Sequence, residues 1–203
     1  MAEPAYRLTL PDRDDGRTWP AQGEWTYEDY LRLPDDGRRY EVIHGHLYWT
    51  PASGYDHQFA VVRCLAAMDR FVSSRELGIV LAGPFDILLP RGVASPVEPD
   101  LIFFRTGNQP RRGDENFLGI PDLVLEVLSP GTRQRDRGVK FKAYQEARVP
   151  EYWMIDPDSR TAVVHALEGG RFYRELCRGG VGETVSSAAL PGFRLDVGEL
   201  FPA

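Results

Sequence analysis

A carboxylate and a lysine occupy positions where a folded chain normally buries apolar side chains. Glu126 lies inside the apolar run of residues 123–128, and Lys140 follows it on the next predicted element. An ionised carboxylate in a buried strand costs several kcal/mol unless it is paired or bound to a cation. A structural ion pair would satisfy both groups. An active site would do so as well, because buried polar groups collect where proteins carry out chemistry.

Asp100 is the second acidic candidate. It stands at the start of another apolar run, residues 101–104, with Glu98 two residues before it. If the two apolar runs form neighbouring strands, the carboxylates of Asp100 and Glu126 can converge. Two carboxylates with room for water are a usual ligand set for Mg²⁺, which prefers oxygen and keeps several waters. Such a cation would polarise a phosphoryl oxygen and activate water, and an adjacent ammonium would steady the developing charge.

A local basic patch surrounds Lys140 in the sequence. Side chains of this type contact the phosphate groups of nucleic acids. A solvated helix start is the alternative interpretation. The net charge of −6 counts against simple electrostatic binding of nucleic acid by the whole surface. The predicted nucleic-acid-binding residues are Arg133, Arg135, Arg137 and Lys142.

Local patterns predict a strand and a helix that would hold these groups. Residues 123–128 are short, apolar and bounded by Pro121 and by the turn residues 129–131, which favours a buried strand. A helix is predicted over about 136–147, and at 100° per residue Lys140 falls in the middle of its apolar stripe. The rest of that inward stripe is Val139, Ala143, Tyr144 and Ala147.

The remaining pattern alternates short strands with one long helix. Residues 40–49 are predicted as a hairpin, with Glu41 inside its first strand. Residues 53–75 carry the best helical pattern. His57 lies at the N-terminal end of that helix's apolar stripe, where a packed or capping histidine is more usual than a metal ligand. Further strands are predicted over 79–90, 149–156, 161–167 and 172–177, with a weak edge strand over 6–10, a short helix over 26–33, and a strand and helical turn within 190–201.

Composition is ordinary for a soluble globular protein. At 203 residues the chain is long enough for one core, and we expect an N-terminal extension over 1–24 and a single domain over 25–203. No apolar run approaches the roughly 18 residues of a membrane span, and the first residues lack a signal-peptide pattern. Cys64 and Cys177 have no CxxC spacing, so we expect free thiols in a reducing cytoplasm.

The order of several short segments resembles the Uma2 family. The segments are YEVIHGHL, His57 near a helix start, EPDLIFF, PDLVLEVLSPGT, RDRGVKFKAY, VPEYWMIDP and a final LPGF…LF. They run from about residue 24 to residue 201, and their order and spacing together are more specific than any one of them. Uma2 proteins are identified as endonucleases of the PD-(D/E)XK superfamily.

This resemblance implies an α/β (α+β) fold with a restriction-endonuclease-like core. In that core a mixed central β-sheet is flanked by α-helices, with additional antiparallel hairpins. The resemblance also implies Mg²⁺- or Mn²⁺-dependent hydrolysis of phosphodiester bonds, with DNA as the expected nucleic acid. A homodimer is the expected assembly, because such nucleases often dimerise to cut two strands.

The resemblance also assigns roles to individual residues. Asp100 matches the first acidic position of the superfamily, Glu126 matches its (D/E) position, and Glu41 matches an acidic residue that often completes the site. The residue two after Glu126, where a lysine usually stands, is Leu128, and Lys140 on the next helix is expected to replace that lysine. A second departure is His44, where the family commonly has Asp before Gly, and we expect that turn to be structural.

Two functions from different classes fit the sequence. In the first, a metal-dependent endonuclease, Asp100 and Glu126 bind the cation, Glu41 assists, and Lys140 positions or deprotonates the attacking water. The second is a nuclease-fold protein without catalysis that acts as a binding or scaffold module, because fold does not determine function. Glycoside hydrolysis by two carboxylates is a weaker third hypothesis, since it leaves the inward lysine and the basic loop unexplained.

Overall fold

The computed structural model describes residue 10 and residues 18–202. The weak edge strand predicted over 6–10 therefore lies outside the described residues, apart from its last position. The helices are α1 (Tyr27–Tyr30), α2 (Tyr55–Ser73), α3 (Arg133–Arg135) and α4 (Phe141–Ala147), with a π-helical turn at Asp136–Lys140 between the last two. The strands are β1 (Arg39–Ile43), β2 (His46–Thr50), β3 (Gly78–Ala82), β4 (Asp86–Leu89), β5 (Ala94–Val97), β6 (Leu101–Arg105), β7 (Asn116–Leu118), β8 (Leu123–Val127), β9 (Glu151–Asp156), β10 (Thr161–Glu168), β11 (Phe172–Gly180), β12 (Thr184–Ser186) and β13 (Arg194–Asp196).

The larger sheet has six strands in the order β11-β10-β9-β8-β6-β3. Its β8–β9 pair is parallel and its other pairs are antiparallel, so the sheet is mixed. Side chains alternate along β8. Leu125 and Val127 pack with α2 on one face, whereas Val124 packs with α4 on the other face. Glu126 shares the side of Val124, which turns its carboxylate towards the helical segment that follows β8.

The smaller sheet has five strands in the order β2-β1-β5-β4-β7. Ile43 of β1 joins the core between this sheet, α4 and the larger sheet. Tyr40 and Val42 point the other way and pack with Trp25. Because strand side chains alternate, Glu41 points the same way as Ile43. A carboxylate on this strand is thereby buried between the two sheets.

The β1–β2 hairpin forms as the sequence predicts. Its turn has positive φ at His44 (50°) and Gly45 (71°), the backbone geometry that two-residue hairpin loops favour. A Cβ at Gly45 would lie 2.3 Å from the carbonyl oxygen of Gly23. Glycine is therefore required there by both the backbone conformation and the close approach of the chain.

The predicted α/β class, with a mixed sheet, flanking helices and antiparallel hairpins, is confirmed by this architecture. The long helix predicted over 53–75 is α2. The helix predicted from about residue 136 starts earlier, at Arg133, and contains the π-helical turn. The region 79–90 divides into β3 and β4, which belong to different sheets. The short helix predicted over 26–33 is α1, which has Thr26 as its N-cap and ends at Tyr30, before residue 33.

Glu151, the first residue of β9, anchors the C-terminal part of the domain. Its side chain is fully buried. The carboxylate accepts hydrogen bonds from the Trp153 indole and the Ser187 hydroxyl, both at 2.6 Å. It also accepts from the backbone N–H groups of Ala188 (2.6 Å) and Ala189 (2.8 Å). Four donors satisfy a charge that would otherwise be expensive to bury.

Two further expectations concern the thiols and the membrane. Cys64 is buried, Cys177 is half-buried, and both are free, as predicted. Among the helices in the described part of the chain, none has the length and apolar character required to cross a bilayer.

Candidate active site

The carboxylates and the lysine predicted as catalytic line one narrow cleft. The cleft lies where β1 of the smaller sheet faces the ends of β6 and β8, and it is closed by the start of α2 and by the helical segment after β8. The structure therefore brings together all four residues that the sequence predicts as catalytic. These are Glu41, Asp100, Glu126 and Lys140.

Asp100 and Glu126 lie on neighbouring strands. β6 pairs antiparallel with β8 so that Leu101 lies opposite Leu125. One further step along the same register places Asp100 opposite Glu126. The two carboxylates were expected to converge only if their strands were neighbours, and the sheet meets that condition.

His57 fixes the orientation of Asp100. The Nε2–H of His57 donates to Oδ2 of Asp100 at 3.1 Å, and the backbone N–H of Val127 donates to the same oxygen at 2.8 Å. Burial raises the pKa of Asp100, but the hydrogen bond and charge of His57 oppose that effect, so the net pKa lies below its ordinary value. His57 is not the helix cap, since the N-cap of α2 is Gly54. It positions a carboxylate in the cleft, which its place in the apolar stripe did not reveal.

Lys140 reaches the cleft from the π-helical turn and is only 3% exposed. Its Nζ lies 2.7 Å from Oε1 of Glu41 and 2.8 Å from Oε1 of Glu126. Asp136 is more distant, at 3.9 Å from Nζ. Burial lowers the pKa of Lys140, but Glu126 and Glu41 raise it by more, so its net pKa lies above the ordinary value. The predicted inward position of Lys140 is confirmed, and the group is a stable ammonium.

Glu41 is held by cations and by the backbone. Its Oε1 accepts from Lys140 and from the backbone N–H of Glu98 at 2.9 Å. Its Oε2 lies 3.6 Å from Nη2 of Arg135. Burial raises the pKa of Glu41, but Lys140 and Arg135 lower it by more, so the net shift is downward. Glu41 therefore remains ionised and serves to hold the ammonium of Lys140.

Glu126 is in a different electrostatic state. Its Oε1 accepts from Lys140 and from the Tyr144 hydroxyl at 2.7 Å. Burial raises its pKa to about 8, and the neighbouring carboxylates of Asp136 and Asp100 add to that effect against the opposing charge of Lys140. Near neutral pH the side chain is therefore ready to exchange a proton for another cation.

Glu98 is a site residue that sequence reasoning noticed but did not assign. It lines the cleft and is 8% exposed. Burial raises its pKa to about 7, with further increases from Glu41 and Asp86. Its Oε1 accepts weakly from the Tyr30 hydroxyl at 3.4 Å, whereas its Oε2 is buried and accepts no hydrogen bond from the described residues. An acidic residue two positions before Asp100, beside a buried strand, was the available signal.

The four predicted nucleic-acid-binding residues occupy different environments. Arg135 is buried in the cleft, where it donates to the carbonyl of Trp49 (3.2 Å) and to Thr50 Oγ1 (2.7 Å). Arg133 and Arg137 lie outside the cleft lining and both pair with Asp156, at 2.8 and 2.9 Å. Arg133 also reaches Asp158 at 2.6 Å. The fourth residue, Lys142, is exposed on α4.

The donor set suits a hard divalent cation. No three His, Cys, Asp or Glu side chains within residues 18–202 are arranged as a complete metal site. However, the carboxylates of Glu98, Asp100 and Glu126 line the same cleft. The described hydrogen bonds to Asp100 and Glu126 fall on one oxygen of each, and Oε2 of Glu98 is buried without a partner among the described residues. Oxygen donors completed by water are what Mg²⁺ and Mn²⁺ prefer.

Comparisons with known proteins agree with this architecture. The family profile of Uma2, described as "Putative restriction endonuclease", matches residues 27–198. The chain is also similar to a crystal structure of "a putative nuclease belonging to DUF820" from Anabaena variabilis ATCC 29413. The TM-score is 0.73 at 20% sequence identity, and the match covers 87% of this chain and 97% of that chain. At this identity the likeness shows a shared fold.

The search of curated proteins gave no match. The descriptions of the family and of the solved structure support a nuclease function in general terms. Because the Uma2 profile spans residues 27–198, which include the whole cleft lining, the chain belongs to the Uma2 family.

Proposed function

We propose that this protein is an endonuclease that uses Mg²⁺ or Mn²⁺ to hydrolyse phosphodiester bonds in DNA. The observation that carries the proposal is the charge of the cleft. Among the described residues, five carboxylates line the cleft, but only three cations do, namely Arg39, Arg135 and Lys140. A structural ion pair would need a single carboxylate. Carboxyl groups in excess of cations are costly to ionise when buried, in agreement with the raised pKa values of Glu98 and Glu126, and this favours a site that exchanges protons for a further cation. The lining carboxylates are Glu41, Glu98, Asp100, Glu126 and Asp136.

Asp100 and Glu126 would hold the cation, with Glu98 as a third oxygen donor. Bound there, the cation would supply a Lewis acid for a phosphoryl oxygen and lower the pKa of water towards neutrality. His57 contributes by holding Asp100 ionised and oriented, through its hydrogen bond at 3.1 Å. Outer contacts of this kind set the geometry of ligand side chains.

Lys140 would position the attacking water and stabilise negative charge on the phosphoryl oxygens. Its raised pKa argues against removal of a proton from water by Lys140 itself, because the ammonium form persists. An ammonium has three N–H donors, and two of them are directed at Glu41 and Glu126. The third donor is available to water or to a phosphoryl oxygen, so Glu41 acts as the residue that fixes the direction of the ammonium.

The duplex would lie against the outer side of the helical segment. We assign Arg133, Arg137 and Lys142 to phosphate contacts there, and Arg135 to the cleft itself, where it is buried. Because Asp156 holds both Arg133 and Arg137 in place, these arginines would present their remaining N–H donors to phosphate in a fixed orientation. A homodimer with two such clefts would cut both strands of a duplex.

The proposal is tested by incubating purified protein with plasmid and with single-stranded DNA, with and without Mn²⁺. Asp100→Ala removes a proposed ligand, and Asp69→Ala on the exposed side of α2 is the matched control. We expect Mn²⁺-dependent cleavage by the wild type and the control, and a loss of at least about 10³-fold in Asp100→Ala. Cleavage retained in Asp100→Ala would overturn the assignment of the site. No cleavage and no Mn²⁺-induced rise in melting temperature would favour a non-catalytic scaffold.

A further inference from the structure

Arg39 is a cation in the cleft to which no role was assigned from the sequence. It is the first residue of β1 and lines the cleft beside Glu41, because residues two apart in a strand face the same side. Tyr40, between them, faces the opposite core. Arg39 is half-buried, so part of its side chain is accessible from solvent.

The other cleft cations already have partners. Lys140 is held between Glu41 and Glu126, and Arg135 is held by Thr50 and the backbone of Trp49. In the part of the chain that the structure describes, no side chain forms an ion pair or a hydrogen bond with the guanidinium of Arg39. A guanidinium has five N–H donors in a planar fork that matches two oxygens of a phosphate.

We propose that Arg39 binds a non-bridging oxygen of the substrate phosphodiester, an inference that rests on the proposed nuclease function. An acidic cleft repels a nucleic-acid backbone until a cation neutralises it, and a guanidinium at its accessible side adds an attractive contact for phosphate. Lys140 and Arg135 are 3% and 8% exposed, so both lie deeper than Arg39. Arg39 therefore meets the phosphate first, and a phosphate bound there is held next to the carboxylates of the site.

A structural role for Arg39 would have different consequences. Its charge lowers the pKa of Glu98, so Arg39 could serve only to balance that carboxylate. Loss of such a balance would change the pH dependence of folding and leave nucleic-acid binding untouched. A phosphate contact would instead change affinity for nucleic acid and its dependence on salt.

The test compares Arg39→Gln and Arg39→Lys with Arg38→Gln, which removes an exposed neighbouring charge paired with Asp36. Affinity for a fluorescent DNA duplex is measured in Ca²⁺ over a range of salt concentrations, and kcat/KM is measured in Mn²⁺. For Arg39→Gln we expect a loss of roughly 10–100-fold in both affinity and kcat/KM. We also expect the slope of log Kd against log salt to fall by about 0.9, as for one lost phosphate contact. The melting-temperature rise induced by Mn²⁺ should be unchanged, and Arg38→Gln should match the wild type.

The outcomes distinguish the phosphate contact of Arg39 from the proposed nuclease function. If the wild type cleaves DNA and Arg39→Gln keeps wild-type affinity and salt slope, the role of Arg39 is overturned and the nuclease function stands. If the wild type neither binds nor cleaves nucleic acid, both are overturned. If Arg39→Gln fails to fold, Arg39→Lys decides between the two roles. This variant keeps the positive charge but loses the planar guanidinium that can bind two phosphate oxygens. A wild-type salt slope with kcat/KM lowered about tenfold therefore supports the phosphate contact. Wild-type kcat/KM in Arg39→Lys overturns it.

Discussion

The ammonium of Lys140 lies 2.7 Å from a carboxylate oxygen of Glu41, and this contact joins the smaller sheet to the helical segment that follows the larger sheet. Both side chains are nearly fully buried, at 3% and 1% exposure. Removal of one member of such a pair leaves the other charge without compensation, which costs more than the pair itself contributes. The contribution of this ion pair to the free energy of unfolding can therefore be measured separately from its effect on cleavage.

Lys140→Met should abolish cleavage and destabilise the fold at neutral pH. Without the ammonium, Glu41 would rely on the more distant guanidinium of Arg135 (3.6 Å), and Glu41 and Glu126 would be buried as poorly compensated anions or take up protons. We expect a loss of roughly 3–5 kcal/mol in the free energy of unfolding. Their pKa values in the folded variant would rise above those in the unfolded chain, so stability would recover as the pH falls. Urea denaturation at pH 5 and pH 8 measures the effect. Equal destabilisation at both pH values would contradict it.

The affinity for Mn²⁺ should rise with pH across the neutral range. Burial raises the pKa of Glu98 to about 7 and that of Glu126 to about 8, so both are largely protonated at lower pH and a cation must displace those protons. Affinity should increase between about pH 6 and pH 9, by up to about tenfold per pH unit for each proton released. Calorimetric titrations in two buffers of different ionisation enthalpy count the protons. Binding that is independent of pH and releases no proton would contradict the assigned ligands.

Glu98→Gln should make the protein more stable and the site weaker. The pKa of Glu98 in the folded protein, about 7, lies above its ordinary value of 4.5. The contribution of the protonated side chain to stability is therefore fully present below pH 4.5, and it is lost as the pH rises through about 7 and the buried carboxyl ionises. At pH 8 the amide should therefore raise the free energy of unfolding by roughly 1–3 kcal/mol. At pH 4 it should have little effect.

The same Glu98→Gln variant should bind Mn²⁺ about tenfold more weakly, because it lacks one charged oxygen donor. Melting curves at the two pH values, with and without Mn²⁺, measure both effects together. Glu28→Gln, at an exposed position on α1, is the control. A Glu98→Gln variant that is less stable at pH 8, or that binds Mn²⁺ as the wild type does, would remove Glu98 from the site.

Glu151→Ala should destabilise the domain without any direct effect on the cleft. The substitution leaves buried donors from Trp153, Ser187 and the following backbone without an acceptor, so we expect a loss of about 2–5 kcal/mol. Chemical denaturation gives the stability, and cleavage per folded molecule should equal that of the wild type. The exposed substitution Glu175→Ala serves as control. A stability change below about 0.5 kcal/mol would show that these hydrogen bonds do not anchor the C-terminal segment.

The sequence was sufficient for those features that depend on local periodicity. A charged residue within a run of apolar ones predicted that Glu126 is buried, and helical spacing predicted that Lys140 faces inward. Neither required knowledge of distant partners. The π-helical turn was not predictable from the same spacing, because a period of 3.6 residues presupposes an α-helix. That turn is where Asp136 joins the cleft, a position that the predicted stripe omitted.

Contacts between residues that are far apart in the chain could not be predicted from a single sequence. The pairing of Arg133 and Arg137 with Asp156 joins a helix start to the end of β9, and no local pattern relates them. The contact of His57 with Asp100 depends on how α2 packs on the sheet. A stripe of apolar residues shows which face of α2 is buried but not what lies at its end, so His57 was interpreted only as a packed or capping residue.

Because the ammonium in the cleft comes from Lys140 of the helical segment, residue 128 can be an apolar core residue. Leu128 is 2% exposed and packs in the apolar cluster between the two sheets, at the position where the resemblance described above would place a lysine. The packing of β8 and the position of the ammonium therefore depend on different residues. A search that requires a lysine two residues after the strand carboxylate would overlook this chain, because Leu128 stands there. A three-dimensional template, defined as an ammonium nitrogen within 3 Å of two carboxylates with a third beside it, would recover it.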